Sequence, residues 1–202
     1  MLKPKDNNML HCILQDKRLI LASASPRRRD ILALLGLSFD VVVSNIAEPI
    51  TEDEPHIQAM RHALGKTAEI AETDALVIGA DTIVVLNGRI LGKPSDEVQA
   101  RDYLSQLSGR DHEVLTGICV RYGDRYYTDF AQSRVWFSEL TETEIIEYIA
   151  TREPMDKAGA YGIQGYGSQF IHHIEGCYFN VMGFPVQTFY ALIQQMQSEG
   201  VL

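Results

Sequence analysis

Leu19 to Gly36 reads LILASASPRRRDILALLG, and the rest of the chain is best understood around it. Leu19 to Ala22 is a short apolar run suited to a buried strand. Ile31, Leu32, Leu34 and Leu35 recur at helical spacing, and Gly36 is placed to stop that helix. Between them lies the small polar turn Ser23-Ala24-Ser25, in which the Ser25 hydroxyl is positioned to cap the helix. Pro26 fits the first helical position, where its missing N–H costs nothing. Arg27, Arg28 and Arg29 then crowd the positive end of the helix dipole, each unfavourable by roughly 0.3–1 kcal/mol at low salt. Asp30 offsets one charge at most. A ligand with several negative charges, held by free backbone N–H groups and guanidinium forks, would compensate the rest. The alternative is three solvated arginines on an exposed first turn.

Composition narrows the function classes. The 202 residues carry a net charge of -9, which argues against the broad basic surface that non-specific nucleic-acid binding requires. Cys12, Cys119 and Cys177 are odd in number, widely spaced and without a CxxC pair, so neither a disulfide framework nor a zinc site is suggested, and a reducing cytosol fits. No run approaches the roughly 20 apolar residues of a membrane span, and the first residues lack the apolar core of a signal peptide. Residues 1–16 read as a loosely ordered extension, and 17–202 as one catalytic domain.

Downstream, Phe39 to Ser44 reads as a strand running into the acidic loop IAEPITEDE, where Glu48 is the carboxylate nearest the strand end. Pro55 to Glu72 reads as a helix with an apolar stripe of Ile57, Met60, Ala63, Leu64, Ala68 and Ala71. Its Gly65-Lys66-Thr67 lacks the upstream glycine of a phosphate-binding P-loop, so by itself Lys66 reads as a solvated lysine. Asn87-Gly88 marks a tight hairpin. Asp81 is the anomalous residue: it sits inside VIGADTIVV, where a carboxylate must be protonated, paired or on a metal. Thr82 adds a hydroxyl beside it, and Lys93 stands on the constrained Gly92-Lys93-Pro94 turn.

Ser95 is placed to cap a helix over Asp96 to Leu107, whose face includes Val98. Glu113 to Arg121, Tyr126 to Ala131 and Ser133 to Ser138 read as strands, and Thr141 to Glu144 as a capping box. The glycine-rich DKAGAYGIQGYG, Asp156 to Gly167, lacks the spacing of a dinucleotide fingerprint. Its Gln164 amide could read a base edge. No histidine pair has metal-ligand spacing and no serine-nucleophile elbow is present, which leaves carboxylates and cations as equipment for metal-assisted phosphoryl chemistry. The elements predict an α/β fold with a mixed central sheet flanked by helices. The cleft should lie between two lobes, where the opening loop, the Asp81 strand and the glycine loop converge.

Five blocks in order, SASPRR at Ser23, GADT at Gly79, GKP at Gly92, GRDHEVLTG at Gly109 and DKAGAYGIQG at Asp156, resemble the signatures of the Maf proteins, cytoplasmic nucleoside triphosphate pyrophosphatases with a Maf/ITPase-like fold. The resemblance implies cleavage between the α and β phosphates with a divalent cation, Mg or Mn. Asp81 would then be the general base, Ser23, Arg27, Arg28, Lys66 and Lys93 phosphate ligands, and Glu48 an acidic position near the metal alongside Asp81. Arg27, Thr82 and Gln164 follow the pattern of members acting on dTTP and UTP, modified pyrimidine nucleotides included. Members acting on 7-methyl-GTP tend to have Trp, Gln and Glu there. Cys177 and Phe184 depart from the Ser and Leu more usual in the family. A homodimer is compatible with the resemblance, and a nucleotide-sensing regulator of cell division is the alternative to an enzyme.

Overall fold

The structure is a computed structural model describing residues 9–202. One mixed sheet organises it, with strands in the order β2 (Asp40–Val41), β1 (Leu19–Leu21), β3 (Leu76–Leu86), β5 (Asp111–Tyr122), β6 (Arg125–Phe137) and β7 (Ile171–Glu175). The short β4 (Arg89–Leu91) joins β3 through a hairpin whose Asn87 and Gly88 both take positive φ, 51° and 78°. β1 runs parallel to β2 and β3; every other pairing is antiparallel. The mixed sheet read from the sequence is therefore what the chain forms.

Strand β3 carries the architecture because its two edges are unequal. Along one, residues 76–85 pair continuously with β5. Along the other, β1 pairs with Leu76, Val77 and Ile78, while β4 pairs with Val84, Val85 and Leu86. Gly79 to Ile83 lie between them with no strand partner on that side. A strand that is central for most of its length is thus an open edge at Asp81 and Thr82, and side chains on both of its faces reach the same notch.

On one face, helix α3 (Pro55–Glu69) lies across β3 and β5. A Cβ added at Gly79 would stand 2.5 Å from Ala63 O, and one at Gly117 would stand 2.5 Å from Ala59 O. The helix backbone therefore rests directly on two glycines, which explains why the apolar stripe expected for this helix is not the buried one. Ile57 and Leu64 are 41 % and 39 % exposed, whereas Gln58, Ala59, His62, Ala63, Lys66 and Thr67 are buried. Close approach admits alanine beneath the helix and lets longer polar side chains reach past it.

The opposite face holds two apolar clusters. The first joins α2 (Pro26–Leu34) and α7 (Val186–Ser198) to Leu76, Ile78, Ala80, Ile118 and Val120. The second joins α4 (Glu97–Leu107) and α5 (Glu142–Ala150) to Val84, Leu86 and Val114. Between them, Thr82 pairs across the ladder with Thr116. The helix α6 (Tyr178–Met182) covers this hydroxyl seam, where Asn180 O accepts from Thr116 Oγ1 at 2.9 Å and Asn180 Nδ2 donates to Val114 O at 2.9 Å.

Several local expectations shift. Ser25 occupies the N-cap position of α2 without a side-chain cap bond. Ser23 supplies the turn's hydroxyl chemistry instead, its Oγ accepting from Ser25 N–H at 3.2 Å and from Arg28 Nη1 at 3.0 Å. Asp96 rather than Ser95 caps α4, accepting from Gln99 N–H at 2.8 Å, and Val98 is exposed. β6 is one strand, not two: Gln132 does not interrupt it, because it pairs with Leu115 of β5 and the next residue, Ser133, is buried with its Oγ bonded to Cys177 and Asn180. The capping box at Thr141 and Glu144 forms as read. Residues 1–8 of the expected extension lie outside the described residues. Within the remainder, the single turn α1 (Leu10–Ile13) helps seat Leu10 and Leu14 in the first apolar cluster, so this part is docked on the domain.

Candidate active site

The notch along β3 opens into a cleft of about 360 Å³, within the range of small-molecule sites. The loop after β1 contributes Ser23, the first turn of α2 contributes Arg27 and Arg28, β3 contributes Asp81 and Thr82, and the turn after β4 contributes Lys93. Glu48 and Lys66 add to the polar lining, with Asp156 and Lys157 from the glycine-rich segment. Val84, Val114, Tyr161, Ile163, Val181 and Met182 give the cleft apolar walls. The sequence-predicted residues are thus brought together with one exception. Gln164 is exposed, one residue beyond Ile163 and outside the lining.

Asp81 is 8 % exposed and its carboxylate is fully engaged. Lys66 Nζ donates to Oδ1 at 2.8 Å, and His62 Nδ1 lies 3.0 Å from Oδ2. Burial opposes the charge, but the His62 hydrogen bond and the Lys66 ammonium outweigh it and hold the carboxyl at about 2, so Asp81 is ionised at neutral pH. The same contact raises His62 above its ordinary value. Lys66, read from its own neighbourhood as solvated, is buried: its Nζ also donates to Ala80 O at 3.1 Å, in the unpaired stretch of β3, and pairs with Glu48 Oε1 at 2.7 Å. One ammonium thus stands between two carboxylates that arrive from different elements.

Arg28 is buried and its guanidinium faces protein. Nε donates to Gly183 O at 2.8 Å, Nη1 to Ser23 Oγ at 3.0 Å and Nη2 to Thr82 Oγ1 at 3.1 Å. Burial lowers its pKa, while the Asp81 and Glu48 charges act in the opposite sense. Thr82 Oγ1 lies 3.1 Å from Thr116 Oγ1, which donates to Asn180 O, so the guanidinium is tied through two hydroxyls to α6. Arg27 is more open and meets Asp156 Oδ2 at 3.5 Å. The crowded arginines of the first turn are therefore compensated in part from within the protein. Arg28 clamps the loop, Arg27 faces an acidic residue of the glycine segment, and Arg29 is exposed.

His62, Asp156 and Lys157 are charged or polar residues at the site that sequence reasoning did not single out. Lys157 Nζ pairs with Asp156 Oδ1 at 2.6 Å. His62 precedes Lys66 by four residues, a spacing that puts both on one helix face; only the depth of burial of that face reveals what it meets. Nothing local to MRHALGKT carries that information.

Glu48 and Asp81 are the carboxylates able to share a divalent cation, since both already reach one ammonium. No group of three His, Cys, Asp or Glu side chains converges among the described residues. Two carboxylates, with the remaining positions filled by phosphate oxygens and water, are a donor set that suits Mg²⁺. No helix among the described residues is long and apolar enough to cross a membrane.

A family model described as Maf-like protein matches residues 18–196. A dTTP/UTP pyrophosphatase from Bacillus cereus is 49 % identical over 173 residues, covering 84 % of this chain and 85 % of the relative. The protein of the same name from Bacillus cytotoxicus is 46 % identical over 185 residues, 90 % of this chain and 97 % of the relative. With the five sequence blocks gathered around a single notch in the sheet, the chain belongs to the Maf family.

Proposed function

We propose that the protein is a nucleoside triphosphate pyrophosphatase acting on dTTP and UTP, releasing the nucleoside monophosphate and pyrophosphate. The observation that carries this reading is the ionised Asp81 at the unpaired edge of β3, facing a cleft furnished with Arg27, Lys66 and Lys93. The names of the relatives supply the substrate class.

In this reading the chain's cations take the triphosphate, whose charge they match, and the apolar walls receive the base and sugar. Arg27 and Lys93, the more open cations, meet the phosphates first. Arg28 holds the Ser23 loop in shape and keeps two of its five N–H donors for substrate. Glu48 and Asp81 would hold a divalent cation, Mg²⁺ or Mn²⁺, which supplies charge neutralisation at the phosphates and a positioned water. A carboxylate held at about 2 is a weak base, so Asp81 would act on the attacking water either as its proton acceptor, once Lys66 has turned towards phosphate, or by holding the cation that positions it. The transfer of one ammonium thereby couples substrate capture to activation of the attacking water.

Thr82 acts on the substrate through Arg28. Gln164 is the candidate for reading the pyrimidine edge, and Gln164→Glu should shift preference from dTTP and UTP towards guanine nucleotides.

The test incubates the protein with Mg²⁺ or Mn²⁺ and dTTP, UTP, CTP, GTP or 7-methyl-GTP, separating monophosphate plus pyrophosphate from diphosphate plus phosphate. Pyrophosphate release from dTTP and UTP is expected. Preference for 7-methyl-GTP would overturn the specificity, and binding without turnover would overturn the enzyme.

A further inference from the structure

Asp81 receives two side-chain donors among the described residues, and they differ in what else they do. Lys66 Nζ is shared among Asp81 Oδ1, Glu48 Oε1 and Ala80 O. His62 has one partner, Asp81 Oδ2, at 3.0 Å. The residue is 6 % exposed, and its other nitrogen, Nε2, is buried with no hydrogen-bond partner. An ionised carboxylate can only accept, so Nδ1 carries the proton and the ring's single polar contact is the one to Asp81. A buried imidazole with one nitrogen left unsatisfied is an uncomfortable way to fill space beside Ala59 and Ala63, where an apolar side chain would incur no such cost.

We propose that His62 is the positioning residue of Asp81, holding Oδ2 in place so that Oδ1 remains directed at Glu48 when Lys66 leaves. The inference rests on the pyrophosphatase reading above, in which Glu48 and Asp81 share a divalent cation. An ammonium 2.7 Å from one carboxylate and 2.8 Å from the other occupies the oxygens that such a cation requires, so Lys66 gives up these contacts. Of its two side-chain donors, Asp81 then retains His62 alone. Without that bond, the carboxylate is free to rotate about its Cβ–Cγ bond at the open edge of β3, and the pair of oxygens loses its alignment. Outer contacts of this kind typically alter metal affinity or activity by about 10–100-fold.

His62→Leu removes the donor while keeping bulk, and His62→Asn returns an N–H at the position of Nδ1. Both are made in the full chain. Three quantities are read: Mn²⁺ affinity by EPR with and without α,β-methylene-dTTP, kcat and KM for dTTP, and Tm. The Leu variant should bind Mn²⁺ about tenfold more weakly and lose about tenfold or more in kcat. Its KM for dTTP should stay within about twofold and its Tm should not fall, since the unsatisfied Nε2 goes too. The Asn variant should recover most of both losses. Equal losses in the Leu and Asn variants would show that only ring shape matters and overturn the proposal. So would unchanged Mn²⁺ affinity in the Leu variant. Should the natural sequence bind Mn²⁺ but release no pyrophosphate, the pyrophosphatase reading fails while the Mn²⁺ comparison still decides the role of His62. A natural sequence that binds no Mn²⁺ overturns both.

Discussion

His62 and His112 are both buried, lie on opposite faces of one sheet, and are driven in opposite directions. His62 comes from α3 and meets the ionised Asp81, whose hydrogen bond raises it above the ordinary histidine value. His112 lies in β5, on the face that carries Thr82, with Tyr161 Oη 2.7 Å from its Nε2 and the rings of Phe137 and Tyr161 edge-on to it. Burial lowers it to about 4, with Asp111 opposing weakly, so it is neutral at physiological pH. The contrast extends to the neighbours. On the α3 side, Asp81, Lys66 and Glu48 form a set of exchangeable charges. On the other, Thr82, Thr116, Asn180 and Ser133 are linked by fixed hydrogen bonds, and Arg28, which joins them through Thr82, has all three nitrogens engaged by protein. One face can change partners during a reaction; the other holds the notch open.

Asp81→Asn breaks the reactive face most directly. Asparagine still accepts from Lys66, so the fold should persist by circular dichroism, while pyrophosphate release from dTTP falls by about 10²–10⁴-fold. Turnover near the natural level would remove Asp81 from the chemistry.

The second test uses pH on the framework face. His112 is held below its unfolded value near 6.5, so the unfolded chain binds the extra proton between pH 6.5 and about 4. Its contribution to stability is therefore complete above that window and lost as pH falls through it, by roughly 3 kcal/mol in all at about 1.4 kcal/mol per unit of pH. Urea titrations across this range should show that loss in the natural sequence and not in His112→Gln. Parallel curves would mean that the ring is not held neutral.

Arg28→Lys separates clamp from ligand. Lysine keeps the charge but cannot serve Gly183, Ser23 and Thr82 together, so stability should drop by roughly 1–3 kcal/mol and KM for dTTP should rise. A raised KM with unaltered stability would make Arg28 a substrate ligand only. Thr116→Val is the mildest change: it removes one link of the hydroxyl seam and should cost about 1 kcal/mol in urea unfolding. A loss of turnover comparable to that of Asp81→Asn would show that the two faces are not distinct in function.

Much of the fold was legible in the chain. The hairpin at Asn87-Gly88, the opening strand and helix, and the capping box at Thr141 rest on backbone preferences and short-range hydrogen bonds, which local residues dictate. Asp81 stood out because a carboxylate within an apolar strand requires a partner wherever the strand ends up. Local signals failed where a neighbour distant in sequence set the answer. The gap read at Gln132 between two strands closes into one strand, with the Ser133 hydroxyl bonded to Asn180 and Cys177 from a distant segment, and α3 looked apolar along the side that faces water.

The sequence by itself determined the mixed α/β class, the family, and the residue types of the site, since these follow from periodicity, turn chemistry and ordered motifs. Only the tertiary structure decided which polar residues meet. Strands β1 and β4 leave five residues of β3 without a strand partner on their edge, and Gly79 and Gly117 let α3 approach closely enough for His62 and Lys66 to reach Asp81. The physical reason is range: backbone propensities act over a few residues, whereas the partner of a buried charge is chosen by packing between segments that the sequence keeps far apart.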